Sequence, residues 1–133
     1  MLSYIMLGSN DIPASDKFYT ALLAPLGYEK AELGADKVVF SLPDVPDRYN
    51  GPGAVYITKP FNGEAATVGN GSMTAFRTTS KEKVEELHAA GLLAGGTDDG
   101  GPGFRDIYGD DFYVAYLRDP LGNKVALFCT LNR

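Results

Sequence analysis

The chain repeats itself at an offset of 69 residues, and no other feature narrows its possible folds as far. Ser3-Tyr4-Ile5-Met6-Leu7 lies over Ser72-Met73-Thr74-Ala75-Phe76. Keeping that offset puts Phe18 on Leu87, Tyr19 on His88, Ala21 on Ala90 and Gly27 on Gly96. Each half therefore reads as a short strand, a helix and a glycine-marked exit. A length of 133 residues suits one compact domain, residues 1–133, able to bury a core without disulfides or metal. Within it the repeat predicts module one over about residues 1–60, a linker over about 61–71 and module two over about 72–133.

Local patterns fill in the modules. The first strand is predicted over Leu2–Leu7, with Ile5 and Leu7 on one face and Tyr4 and Met6 on the other. Asn10 or Asp11 can cap a helix from about Pro13 to Leu23, Pro13 falling in the first turn where its missing N–H costs little. Phe18, Leu22 and Leu23 give that helix an apolar stripe, and Pro25 and Gly27 end it. Short strands are predicted at Tyr28–Glu32, Lys37–Leu42 and Ala54–Thr58, with a polar, three-proline loop over Pro43–Gly53. Module two opens on a strand from Met73 to Arg77, followed by a helix from a Ser80 cap to about Ala90, with Glu82 and Glu85 in its early turns. Asp98–Gly103 is predicted as a loop. Phe112–Arg118 and Lys124–Thr130 form a hairpin about Asp119-Pro120-Leu121-Gly122-Asn123, a type I turn whose register sets Tyr116 opposite Ala126 and Val114 opposite Phe128.

Charge and cysteine content exclude some functions. A net charge of −5, with 12 scattered Lys and Arg, offers no basic track for nucleic acid. Cys129 is the only cysteine, so no intrachain disulfide can form, which fits a cytoplasmic protein. Residues 1–10 lack the basic and apolar regions of a signal peptide, and no apolar run approaches the roughly 20 residues of a membrane helix.

Several segments resemble a known family in order and spacing. They are Met1 to Gly8 with Asp11 and Phe18-Tyr19, Ala24-Pro25-Leu26-Gly27-Tyr28, Gly69-Asn70-Gly71 with Ala75-Phe76, and Gly101-Pro102-Gly103 with Arg105. The most specific is Tyr116-Leu117-Arg118-Asp119-Pro120-Leu121-Gly122-Asn123-Lys124-Val125. Together they resemble the vicinal-oxygen-chelate superfamily of glyoxalases, bleomycin-resistance proteins and extradiol dioxygenases over nearly the whole chain. The resemblance implies an α+β fold of two βαβββ modules, forming a curved mixed sheet around a cleft with the helices packed outside. Ile5, Leu7, Phe76, Val125 and Leu127 would then face the helices. Tyr4, Met6, Met73 and Arg77 would line the cleft, with Tyr116, Ala126 and Phe128 from the final hairpin.

Active members of that superfamily hold a divalent metal, a Lewis acid for a bidentate pair of substrate oxygens, on cleft-facing His, Gln or Glu side chains. The matching positions here are Tyr4, Met73 and Ala126, with Ile57 or Tyr56 as the fourth. A methyl has no donor, a thioether suits Cu(I) better than Mg²⁺, Zn²⁺ or Fe²⁺, and a phenol binds poorly while it keeps its proton. No three-ligand catalytic site follows from that set, and no metal or other cofactor is expected. His88, the only histidine, is expected as a partly exposed residue of the second helix.

Other side chains have competing readings. Arg77 and Arg105 could clamp a carboxylate or phosphate. Otherwise Arg77 ends its strand in solvent and Arg105 pairs with Asp106 or Asp110 on the surface. Tyr116 and Tyr4 could contact a ligand or simply pack as strand aromatics. Cys129 reads as a small buried residue rather than a nucleophile. The leading expectation is a metal-free protein that binds a small molecule in its cleft and forms a homodimer. The alternative is a metal-dependent lyase, isomerase or dioxygenase related to lactoylglutathione lyase, and a third reading is an interaction role with a degenerate cleft.

Overall fold

A computed structural model of the chain describes residues 1–131. Module one runs β1 (Tyr4–Gly8), α1 (Ile12–Leu23), a 3₁₀ turn (Ala24–Leu26), β2 (Glu29–Glu32), β3 (Lys37–Ser41) and β4 (Ala54–Thr58). Module two runs β5 (Thr74–Arg77), α2 (Lys81–Leu93), β6 (Thr97–Phe104), a 3₁₀ turn (Asp106–Tyr108), β7 (Phe112–Arg118) and β8 (Lys124–Thr130). The two sheets have the same topology, β1-β4-β3-β2 and β5-β8-β7-β6, each with its first strand parallel to its fourth and the rest antiparallel. The repeat read from the sequence is thus a repeat of βαβββ units, and the fold is α+β as expected. The hydrogen-bonded ladders divide between β1 and β5, whose free edges border a common cleft of about 140 Å³.

Why each helix forms is visible locally. The Asp11 carboxylate, not Asn10, caps α1 by accepting from the Ala14 N–H at 3.1 Å. Asn10 is used elsewhere, its side chain clasping the backbone of Ala66 through both N–H and C=O. Phe18, Tyr19, Leu22 and Leu23 are fully buried along one stripe of α1. Ser80 caps α2 from its side chain to the Lys83 N–H. That helix runs to Leu93, past the expected stop at Ala90, and carries Gly91 inside it, where a side chain would strike Leu117 and crowd Leu22 and Phe18.

One core serves both modules. It joins Phe18, Tyr19 and Leu22 of α1 and Phe40, Val55 and Ile57 of the first sheet to Val84 and Leu87 of α2 and Leu117, Val125 and Leu127 of the second sheet. Ile5 and Leu7 pack against it and Phe76 lies within it, so the strand faces divide as the alternation predicted. Residues 61–71 carry no strand or helix. Among the described residues no helix is long and apolar enough to cross a membrane.

Asp98–Gly103 corrects the sequence reading. This Gly- and Pro-rich stretch is part of an eight-residue strand, β6, not a loop. Its pairing with β7 shifts register on either side of Gly100, whose φ is +151°. Bulges of this kind let a strand of poor intrinsic propensity follow a well-formed neighbour. His88 also departs from expectation: it is buried, with Nε2 2.9 Å from the Asp98 carboxylate, because that same strand runs beside α2.

Candidate functional site

The two sheets turn their second faces away from the core, and strand alternation decides which side chains appear there. On the first sheet they are Tyr4 and Met6, both exposed, with Val39, Ala54 and Tyr56 forming a small buried cluster of their own. The Tyr56 hydroxyl donates to the Tyr49 carbonyl at 2.8 Å, which ties the 43–53 loop over this face. Its phenol is raised above the usual tyrosine range, first by burial and then by Tyr4, Asp47 and Tyr49. Tyr4 meets Tyr56 edge to face at 5.4 Å. Ile57 points into the core, so of the two candidates for the fourth metal position only Tyr56 shares a face with Tyr4.

The donor chemistry at these positions does not fit a hard cation. Tyr4 is exposed beside Tyr56, Met73 precedes β5 and is half exposed, and Ala126 is buried in β8 with no donor atom. Among the described residues no three His, Cys, Asp or Glu side chains converge as a metal site. His88 spends its Nε2 on Asp98, whose carboxyl is held below the usual range by that bond and by the Gly100 N–H. Burial raises the Cys129 thiol, as it raises the Tyr113 phenol that donates to Glu85, so neither is activated as a nucleophile.

The second sheet carries most of the expected residues on one face. The register aligns Ala75, Ala126, Tyr116 and Gly100 in one row, and Arg77, Phe128, Val114 and Gly103 in the next. Val114 and Ala126 are buried as a floor, while Tyr116 and Phe128 are half-buried rings above it. The Arg77 guanidinium lies 4.6 Å from the Phe128 centroid and donates to the Thr130 hydroxyl. Arg105 lies 5.7 Å from the Tyr116 centroid and donates to the carbonyls of Gly101 and Phe104, so it does not pair with Asp106 or Asp110. Arg77 is exposed at the end of its strand and Arg105 is half-buried, and each guanidinium lies over a ring.

Of the eight expected residues, Arg77 and Phe128 touch, as do Arg105 and Tyr116, and Tyr116 pairs with Ala126 across the hairpin. Tyr4 and Met73 border different depressions, Tyr4 the cleft between the β1 and β5 edges and Met73 a hollow with Val68, Arg118 and Lys124. Two contributors went unnoticed in the sequence. Lys124 stands 4.8 Å from the Tyr116 centroid, and Phe112 stacks on Phe128 at 5.3 Å. Strand parity marks both: Lys124 shares a face with Ala126, and Phe112 with Tyr116.

The Asp119–Asn123 turn proves structural. Asp119 is buried and accepts from the N–H groups of Leu121, Gly122 and Asn123, from Asn123 Nδ2 and from the Tyr19 hydroxyl at 2.6 Å. Asn123 Nδ2 also donates to the Gly8 carbonyl. The most specific segment of the sequence therefore bolts the last hairpin of module two to α1 and β1 of module one.

No protein-family model matches this chain, and no curated protein matches it. Solved structures do. A glyoxalase/bleomycin resistance protein from Albidiferax ferrireducens T118 is 41% identical, with TM-score 0.82 over 97% of this chain and 98% of that one. A glyoxalase/bleomycin resistance protein/dioxygenase family enzyme from Burkholderia phytofirmans PsJN is 22% identical, with TM-score 0.73 over 97% and 98%. A lactoylglutathione lyase from Agrobacterium tumefaciens is 19% identical, with TM-score 0.65 over 97% and 92%. The last two similarities are of fold alone.

Proposed function

Because the chain belongs to the glyoxalase/bleomycin resistance protein family, we propose that it is a metal-free member that binds a small molecule on the outward face of its second sheet. One observation carries this reading. Where the superfamily resemblance places metal ligands, this chain has Tyr4, Met73 and Ala126, whose phenol, thioether and methyl cannot jointly hold a hard cation. What the face offers instead is rings over an apolar floor with a few placed cations, the usual make-up of a small-molecule site. Fold membership alone would not choose between binding and catalysis.

Elemental analysis of protein purified without chelator, paired with a thermal-shift screen of small aromatic compounds, tests the proposal. The expected result is substoichiometric Ni, Zn, Fe and Mn, a melting temperature indifferent to chelator, and shifts with selected compounds. One equivalent of tightly held metal would favour a metal-dependent lyase, isomerase or dioxygenase instead.

The chain further fits a cytoplasmic homodimer. Cys129 is buried and free, and Tyr4, Met6 and Met73 leave apolar surface exposed on the outward faces. Light scattering behind a sizing column is expected to give twice the chain mass; a monomer at micromolar concentration would remove the dimer.

A further inference from the structure

The described residues include four arginines, and they divide by partner. Arg48 pairs with Glu29 and Arg118 with Asp99, whereas Arg77 and Arg105 have no carboxylate within ion-pair distance among the described residues. The chain has 17 Asp and Glu against 12 Lys and Arg, so the two are not unpaired for want of carboxylates. Both belong to the same outward face, and each lies over a ring of it. A guanidinium held over an aromatic ring is oriented while much of its N–H fork stays free. Arg77 uses one protein acceptor, Thr130, and Arg105 uses two carbonyls, out of five N–H donors apiece.

Their placement is complementary. Arg77 ends β5 at one edge of the sheet, and Arg105 follows β6 at the other. Three strand intervals separate those edges, roughly 14 Å at about 4.8 Å each. Arg77 lies over Phe128 of the neighbouring strand β8, and Arg105 folds back over Gly100 and Gly103 of β6, where the Tyr116 ring of β7 leans toward it. Between them lie Val114 and Ala126, buried and apolar, beneath the Phe128 and Tyr116 rings. Lys124 adds a third cation over Tyr116, partly neutralised by Asp99 at 3.5 Å.

We propose that this face takes an aromatic carboxylate, its ring against the half-buried Phe128 and Tyr116 rings and its carboxylate held by Arg77 and Arg105. The inference rests on the small-molecule reading above and adds the ligand's class. Charge-assisted, forked hydrogen bonds to carboxylate supply the selectivity, and the rings supply area.

The test uses 2-naphthoate and its neutral counterpart 2-naphthamide, titrated calorimetrically into wild type, Arg77→Gln and Arg105→Gln, with each variant's fold checked by its melting curve. Wild type is expected to bind naphthoate about tenfold or more tightly over naphthamide, one charged hydrogen bond's worth. Each variant should weaken naphthoate about tenfold and leave naphthamide within about twofold. Equal affinity for the two probes overturns the anion assignment while leaving the small-molecule site standing. Undiminished naphthoate binding by either variant overturns the two-arginine assignment. Binding of neither probe overturns the site itself.

Discussion

Single side chains show where stability concentrates. Tyr19 has no exposed surface, and its hydroxyl donates to a buried carboxylate that also collects four N–H bonds. Removing a hydrogen bond to a buried charge costs about 1.5–3 kcal/mol. Tyr19→Phe is therefore expected to lower unfolding free energy by about that amount, read from the urea midpoint at unchanged slope. The same residue sets an alkaline limit. Burial first, then the charge and hydrogen bond of Asp119, hold the Tyr19 phenol well above the usual tyrosine range. A folded-state value above the unfolded one gives a contribution that is complete below about pH 10 and is lost as pH rises through the folded-state value. Wild type should accordingly lose stability above about pH 10 more steeply than Tyr19→Phe does. Parallel alkaline limbs for the two proteins would take Tyr19 out of that account. None of this was legible beforehand: the sequence shows a turn at Asp119, but a partner 100 residues away in the chain leaves no local mark.

Elements were legible in proportion to how far local chemistry decides them. The strong signals were caps, apolar stripes and the Pro-Gly turn, and both helices and the last hairpin follow them, the hairpin to the residue. The β6 strand was hidden because its Gly-Gly-Pro-Gly run is set by pairing with β7, a tertiary effect that outweighs propensity. The candidate face followed the same rule: strand parity put Arg77, Tyr116 and Phe128 on one side of the sheet, while the position of Arg105 depends on the fold of β6. Two glycines of module two separate the packing demand from the turn signal. A Cβ on Gly96, just past α2, would strike the Phe18 ring and come within 2.9 Å of the Gly91 carbonyl. A Cβ on Gly101, in β6, would meet nothing within 4 Å. Overpacking a tight core costs about 1–3 kcal/mol, whereas an uncrowded surface substitution stays within about 0.5 kcal/mol. Gly96→Ala should therefore destabilise and Gly101→Ala should not, compared by chemical denaturation. Equal effects would mean that the close approach of α1 to the α2 exit does not limit packing.

At the scale of the molecule, the repeat suggests two halves that fold as separate units, and the packing argues against it. Each sheet is complete in its own ladders, and none joins β1 to β5. Cohesion must come from side chains. Phe18 of α1 meets Gly91 and Gly96 of module two, Tyr28 meets Phe76 edge to face at 6.2 Å, and Tyr19 and Gly8 hold the Asp119–Asn123 turn. Four α1 side chains, Phe18, Tyr19, Leu22 and Leu23, are wholly buried in the shared core. Burying each contributes about 1.5–3 kcal/mol. A module detached from its neighbour would expose part of that surface, a cost comparable to the whole stability of a small domain, about 5–15 kcal/mol. The chain should thus unfold in one cooperative step, with far-ultraviolet circular dichroism and tyrosine fluorescence giving coincident urea curves. Tyr19→Phe in module one and Gly96→Ala in module two should move that single transition rather than split it. Curves that separate, with one variant shifting only one of them, would show that the modules are independent and that the β1–β5 cleft is a joint rather than a seam.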